Sequence, residues 1–248
     1  MSFQLALVLS AVMVVGAVVV LVIRMEGRRQ AAVEDQLRGE ASARGWTFQT
    51  DREPGFRVRR WTGTTDGIAW SAESRRSARQ RRHRGQGAQR MRWWADTVRG
   101  PSGAVLFLGV PEGDSGPSFT VAAGGGVLAR LAQKATGLVF DHAVDLYFGR
   151  EAGAQVDAGA LEKVDGQVPP GYFVMAADRA EGARVLFSGM SEAMRAVDSD
   201  LRPEDPEESR PWVLLLPRRV SIARMDPIRS TAELERVARA GAALVRRT

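Results

Sequence analysis

The chain has no cysteine. Disulfides, thiolate nucleophiles and cysteine-ligated zinc or iron–sulfur centres are therefore excluded. Histidine is almost as scarce, with only His83 and His142. A Ser–His–Asp catalytic arrangement would have to use one of them, and no nucleophile elbow is present. Lysine is limited to Lys134 and Lys163, so nearly all positive charge is guanidinium. Acid is missing locally as well. The 18 residues Arg75–Arg92 contain no Asp or Glu.

What is present bounds the class. The 248 residues carry a net charge of +6 and a hydrophobic fraction of 44%. That is enough apolar material for one good core, and it argues against wholesale disorder.

The first feature along the chain is apolar. Phe3–Ile23 is 21 residues without a charge, 14 of them Phe, Leu, Ile or Val. A helix of that length spans about 31 Å, against a hydrocarbon core of roughly 30 Å. Ser2, Ala6 and Ser10 would share one face of it. No basic side chain precedes the run and no small-x-small site follows it, which argues against a cleaved signal peptide. Arg24, Arg28 and Arg29 follow it directly, and a positive-inside reading places what comes after in the cytoplasm. The expectation is a single-pass inner-membrane anchor at 1–23, N-terminus outside, then a juxtamembrane helical stalk at 24–45. A cytoplasmic domain would occupy 46–248, with a possible sub-boundary near 111–126.

The stalk reading rests on Val33, Leu37 and Ala41 at helical spacing, with Gly45 placed to end the helix. From Trp46 the period becomes two. Trp46 and Phe48, then Phe56 and Val58, alternate about the turn Pro54-Gly55. Asp66-Gly67 is a hairpin signal followed by Ile68, Trp70 and Ala72. Met91, Trp93 and Ala95 make a fourth strand and the apolar run Ala104–Val110 a fifth, expected to be covered on both sides.

The second half mixes types. It reads as a helix at 127–136, an ambiguous apolar stretch at 138–148, a strand at Tyr172–Ala176 and a hairpin around Pro217. Asp178 with Glu181 and Ser230 with Glu233 have capping-box spacing ahead of two further helices. Ala183, Phe187, Met190, Met194 and Val197 form the expected buried stripe of the first. Leu234, Val237 and Leu244 do so in the second, with Gly241 a close-packing point. The fold class is α+β: an antiparallel β-meander of about five strands followed by mixed helices and a hairpin.

The candidate binding residues are Arg75, Arg76, Arg79, Arg81, Arg82, Arg84, Arg90 and Arg92, in a hairpin loop with a positive field toward a polyanion. Anionic lipid headgroups fit that field. Nucleic acid fits it less well, because alternation makes Trp93 a core residue and not a stacking platform. Residues 141–210 hold 15 acidic against 7 basic side chains, which offers the arginines an internal or intermolecular counterpart.

Two other patterns are weaker. Gly124-Gly125-Gly126-Val127-Leu128-Ala129 has the spacing of a dinucleotide-binding turn, but a meander precedes it instead of a β-α-β unit. Asp141, His142 and Asp145 do not gather on one face of either a helix or a strand. No catalytic residue, cofactor or metal follows from the sequence. The expected function is a membrane-anchored, non-enzymatic interaction or accessory subunit, with a membrane-protein partner or a second copy of itself. Polyanion binding through residues 75–92 is the first alternative, and an anchored enzyme of unidentified chemistry the second.

Overall fold

The computed structural model describes residues 2–77, 90–109, 141–166, 168–201 and 210–248. In the first helix the side chains are described from residue 20 onward, except 23 and 26.

Helix α1 runs unbroken over Ser2–Ala43, 42 residues. Gly45 ends it at φ 71, a left-handed position that favours glycine, and the Trp46 N–H donates back to the Ala41 carbonyl. The residues expected as a stalk are the second half of this helix. They bury Leu37 and Ala41 and pack against the sheet, while Val33 stays exposed.

The membrane placement is corrected here. Among the described residues no helix is long and apolar enough to cross a membrane. The described part of α1 has exposed Val20, Leu21, Val22 and Met25, then turns charged from Arg24 and docks on the domain. The side chains of residues 2–19, including the Ser2–Ala6–Ser10 face, lie outside the described residues. The single-pass anchor, the inner-membrane localisation and the outside/cytoplasmic orientation are not carried forward.

The fold class is corrected as well. The described strands are β1 (Thr47–Glu53), β2 (Phe56–Thr65), β3 (Ile68–Ser77), β4 (Arg90–Asp96), β5 (Val105–Gly109), β6 (Glu162–Lys163), β7 (Tyr172–Ala176), β8 (Trp212–Leu216) and β9 (Arg219–Arg224). They form one nine-stranded sheet in the order β1-β2-β3-β4-β9-β8-β5-β7-β6, with every described pairing antiparallel. The first five strands are thus not one meander. The β8–β9 hairpin inserts between β4 and β5, and β7 borders β5 on its other side. All five residues of β5 are buried, as its central place requires. The Asp66-Gly67 turn has both residues at positive φ, 53 and 79, which is the type I′ geometry that suits strand twist.

One face of the sheet carries the main core. It includes Trp61, Trp70, Ala72, Met91, Trp93, Val105, Phe107, Val213, Leu215, Val220 and Ile222. Over it lie α2 (Arg179–Val185), α3 (Ser191–Leu201), α4 (Thr231–Arg247) and the second half of α1. Asp178 caps α2 by accepting from the Ala180 and Glu181 N–H groups, and Ser230 caps α4 by accepting from the Glu233 N–H. Gly241 lies directly on the Trp93 indole.

The expected stripe through α2 and α3 fails at Phe187, which is 81% exposed. A π turn at Leu186–Met190, with Gly189 at φ 86, adds a residue between the two helices. That shifts the phase, so Val185 and Leu186 are buried instead.

The opposite face is divided. Beside β5, β8 and β9 it carries a second apolar layer, where Leu106, Leu108, Leu214 and Leu216 meet Val144, Tyr147 and Phe148 from helical residues 141–148. Tyr147 stacks on Trp212 with centroids 3.9 Å apart. Beside β1–β4 the same face is ionic.

Candidate functional site

The register built by the two turns decides where the arginines go. Around Pro54-Gly55, Arg52 pairs with Arg57, and Arg57 pairs in turn with Arg76 of β3. Three guanidinium side chains therefore lie in one row across three strands. Around residues 78–89, Arg75 of β3 pairs directly with Arg90 of β4, on the other face. Arg59 is one step further into the sheet on the first face. Like charges placed directly opposite each other are destabilising. Here three such pairs are gathered at one end of β1–β4.

The local carboxylates are few. Glu34 of α1 pairs with Arg57 at 3.1 Å, and Arg57 also donates to Gln30. Glu53 pairs with Arg75, which lies 4.4 Å over the Phe56 ring. The remaining cationic excess shows in the titration behaviour. Arg59 is lowered from its ordinary range by burial, with Arg57 and Arg76 adding to it and Glu34 opposing. Arg90 is lowered by burial, then by Arg92 and Arg75, against Glu73 and Glu53. Above Gln30 on α1, the exposed Arg24, Arg28 and Arg29 lie within about 9 Å along the helix axis. They extend the positive region past the sheet end.

Beyond that end the ionic face becomes balanced. Glu73, only 4% exposed, lies between Arg92 at 3.1 Å and Arg60 at 3.2 Å. Arg60 also reaches Asp51 and Glu53. Burial disfavours the Glu73 carboxylate, but the Arg92 charge and the hydrogen bonds from Arg92 and Arg60 outweigh it. The carboxyl is held below the usual range. Glu73 is thus the shared anionic partner of two arginines.

The eight arginines singled out from sequence therefore divide. Arg90 donates to the Leu146 carbonyl and Arg92 to the Phe148 carbonyl, where cations complement the C-terminal end of helical residues 141–148. Arg92 also lies 5.1 Å over Trp94. Arg75 is held by Glu53. Arg76 is exposed at the sheet end. Arg79, Arg81, Arg82 and Arg84 lie outside the described residues, in the segment that joins the paired ends at Arg75 and Arg90. Sequence reasoning missed Arg52, Arg57 and Arg59 as members of the group. The Pro54-Gly55 turn and period-two counting were the signal that would have aligned them.

The weaker sequence patterns fare as follows. The glycine turn at 124–129 lies outside the described residues, as do the helix at 127–136 and the sub-boundary at 111–126. Asp141, His142 and Asp145 fall in the helical stretch 141–148, and among the described residues no group of His, Cys, Asp and Glu could hold a metal ion. A recess of about 40 Å³ beside Arg92, Trp94, Glu151 and Arg219 has room for a few water molecules and no more. Comparison with family models, with curated proteins and with solved structures finds no match.

Proposed function

We propose that this protein is a non-enzymatic interaction module that engages a phosphate-bearing polyanion through the arginine-rich end of β1–β4. The observation that carries this reading is the register, which sets Arg52, Arg57 and Arg76 in one row and Arg75 against Arg90. Arg57 is offset by Glu34, but like charges placed directly opposite each other are destabilising. A flexible polyanion laid across the end neutralises several guanidiniums at once and releases its own counterions. Arginine suits this because its planar fork binds phosphate in two places.

The test is affinity against salt with the full chain. A single-stranded oligonucleotide, an inorganic polyphosphate and vesicles bearing phosphate headgroups present one chemistry from three sources. An acidic peptide of equal charge is the comparison. Log affinity for the preferred polymer should fall with log salt at a slope of about −3 or steeper, at roughly 0.7–0.9 per phosphate engaged. Changing Arg52, Arg76, Arg79, Arg81, Arg82 and Arg84 together to Gln should flatten the slope. Arg38→Gln, which removes an exposed pair with Asp35 elsewhere on α1, should not. A slope unchanged by the six substitutions, or equal binding of the acidic peptide, would refute the proposal.

A further inference from the structure

A second cationic feature lies past the other end of β4, about 20 Å along the strand from Arg90 at 3.3 Å per residue. It is a cleft of about 380 Å³, within the range of small-molecule sites. Three elements build it. The turn after β4 supplies Arg99 and Pro101, α2 and the π turn supply Arg184, Val185 and Met190, and the end of α4 supplies Arg247. Its floor is apolar, since Pro101, Val185 and Met190 are all buried. Its rim is basic, since Arg99, Arg184 and Arg247 are exposed.

The charges on this rim are not equivalent. Glu181, also on the wall, takes two hydrogen bonds from Arg184 and one from the Ser102 N–H, at 3.0 Å. These hold its carboxyl below the ordinary range, Arg184 being the largest influence. Glu181 and Arg184 thus neutralise each other. Arg247 has only a long pair, 3.8 Å, with Glu192 on α3. The Arg99 side chain has no hydrogen-bond or ion-pair partner among the described residues. The last carbonyls of α4 weaken the positive field, but a helix end carries only about half a charge. Two guanidiniums are therefore left facing one cleft with an apolar floor.

The backbone around the cleft is unusual too. The kink at Leu186–Met190, where Gly189 takes φ 86, forms one wall. Gly100 is packed so closely on the Leu216 and Pro217 carbonyls that a Cβ there would lie 2.2 Å from an oxygen. The backbone of the turn that carries Arg99 is thus fixed against the sheet.

We infer that this cleft binds a small oxyanion, a phosphate or carboxylate borne on a short apolar body. The anion sits between Arg99 and Arg247, and the body rests against Val185 and Pro101. This site is distinct from the arginine-rich end of β1–β4 and does not depend on it.

Calorimetric titration of the full chain with inorganic phosphate, phenyl phosphate and benzoate, at constant ionic strength in chloride, tests the inference. Phenyl phosphate should bind more tightly than inorganic phosphate, because only it covers the apolar floor. Arg99→Gln and Arg247→Gln should each weaken phenyl phosphate about tenfold or more, the scale of a lost charge-assisted hydrogen bond. Arg246→Gln, whose side chain pairs with Asp66, should leave affinity unchanged, and so should Arg52→Gln with Arg76→Gln. Two results would overturn it: no binding above the chloride background, or binding that survives both cleft substitutions. If binding is lost only on changing Arg52 and Arg76, the anion belongs to the sheet end and the cleft has no ligand of this class.

Discussion

Replacing Gly241 by alanine sets two opposed effects of known size against each other. In an open helix interior the change is favourable by about 0.8–1 kcal/mol, since alanine loses less backbone entropy than glycine. At position 241 a Cβ would lie 2.4 Å from two carbons of the Trp93 ring and 2.6 Å from a third. Ordinary carbon–carbon contact is about 3.5–4.0 Å, so the overlap exceeds about 1 Å. The indole cannot swing aside, because Trp93 is fully buried between α4 and the sheet. Either α4 lifts away from Trp93 or the core repacks, and overpacking of this kind costs about 1–3 kcal/mol. With the propensity gain set against that, Gly241→Ala should destabilise by up to about 2 kcal/mol. Gly39→Ala is the matched control. It lies in α1 with nothing within 4 Å of a new Cβ, and it should stabilise by about 0.5–1 kcal/mol. Urea unfolding of the full-length chain, followed by tryptophan fluorescence, measures both. Trp93→Phe removes the ring that clashes, so Gly241→Ala should cost less in that background than in the wild type. If Gly241→Ala matches or exceeds wild-type stability, α4 does not seat on Trp93 as described and the packing argument fails.

Two further outcomes follow from the buried titratable groups. Glu73 has its folded value depressed, so its contribution is fully present above the unfolded value of about 4.3 and is lost as pH falls through the lower folded value. Glu73→Gln should therefore flatten the acid limb of a stability-versus-pH curve and cost about 2–3 kcal/mol at pH 7. That is less than for a fully buried pair, because Arg60 is partly exposed; an acid limb identical to wild type would contradict it. Burial pushes the Tyr147 hydroxyl up to about 12, and Tyr172 is raised further by burial and by Asp198. Ultraviolet titration of the chain's two tyrosines should therefore show no phenolate step near 10 until the protein unfolds.

Local structure was legible where one physical rule acted alone. The Asp66-Gly67 turn, the two-residue alternation of β2–β4 and the caps at Asp178 and Ser230 depend on neighbours within a few residues. Sheet order was not legible. β5 is sequence-adjacent to β4 but pairs with β7 and β8, and nothing in an apolar strand names its partners. Phe187 was misplaced because helical counting assumes an unbroken 3.6-residue period, which the π turn at Leu186–Met190 interrupts. The arginine cluster was half visible. Density along the chain revealed 75–92, but Arg52, Arg57 and Arg59 join it only through pairing across two strands. The cleft past β4 was invisible for the same reason, since Arg99, Arg184 and Arg247 are far apart in sequence.

The arrangement of charge also says which arginines a partner can use. Arg60, Arg75, Arg90 and Arg92 hold carboxylates and helix-end carbonyls of the fold, so removing one loses those pairings and costs stability whether or not anything binds. Arg52 and Arg76 stand exposed in a row with Arg57, where like charges cost up to about 1 kcal/mol per facing pair. Relieving that repulsion should leave the folded chain no less stable. Arg52→Gln with Arg76→Gln would then be neutral or stabilising, while the same change made at Arg92 would be damaging. Stability and binding should therefore separate across this end of the sheet. The inner arginines govern folding, and the exposed outer ones, Arg52 and Arg76, are those the proposed polyanion would contact.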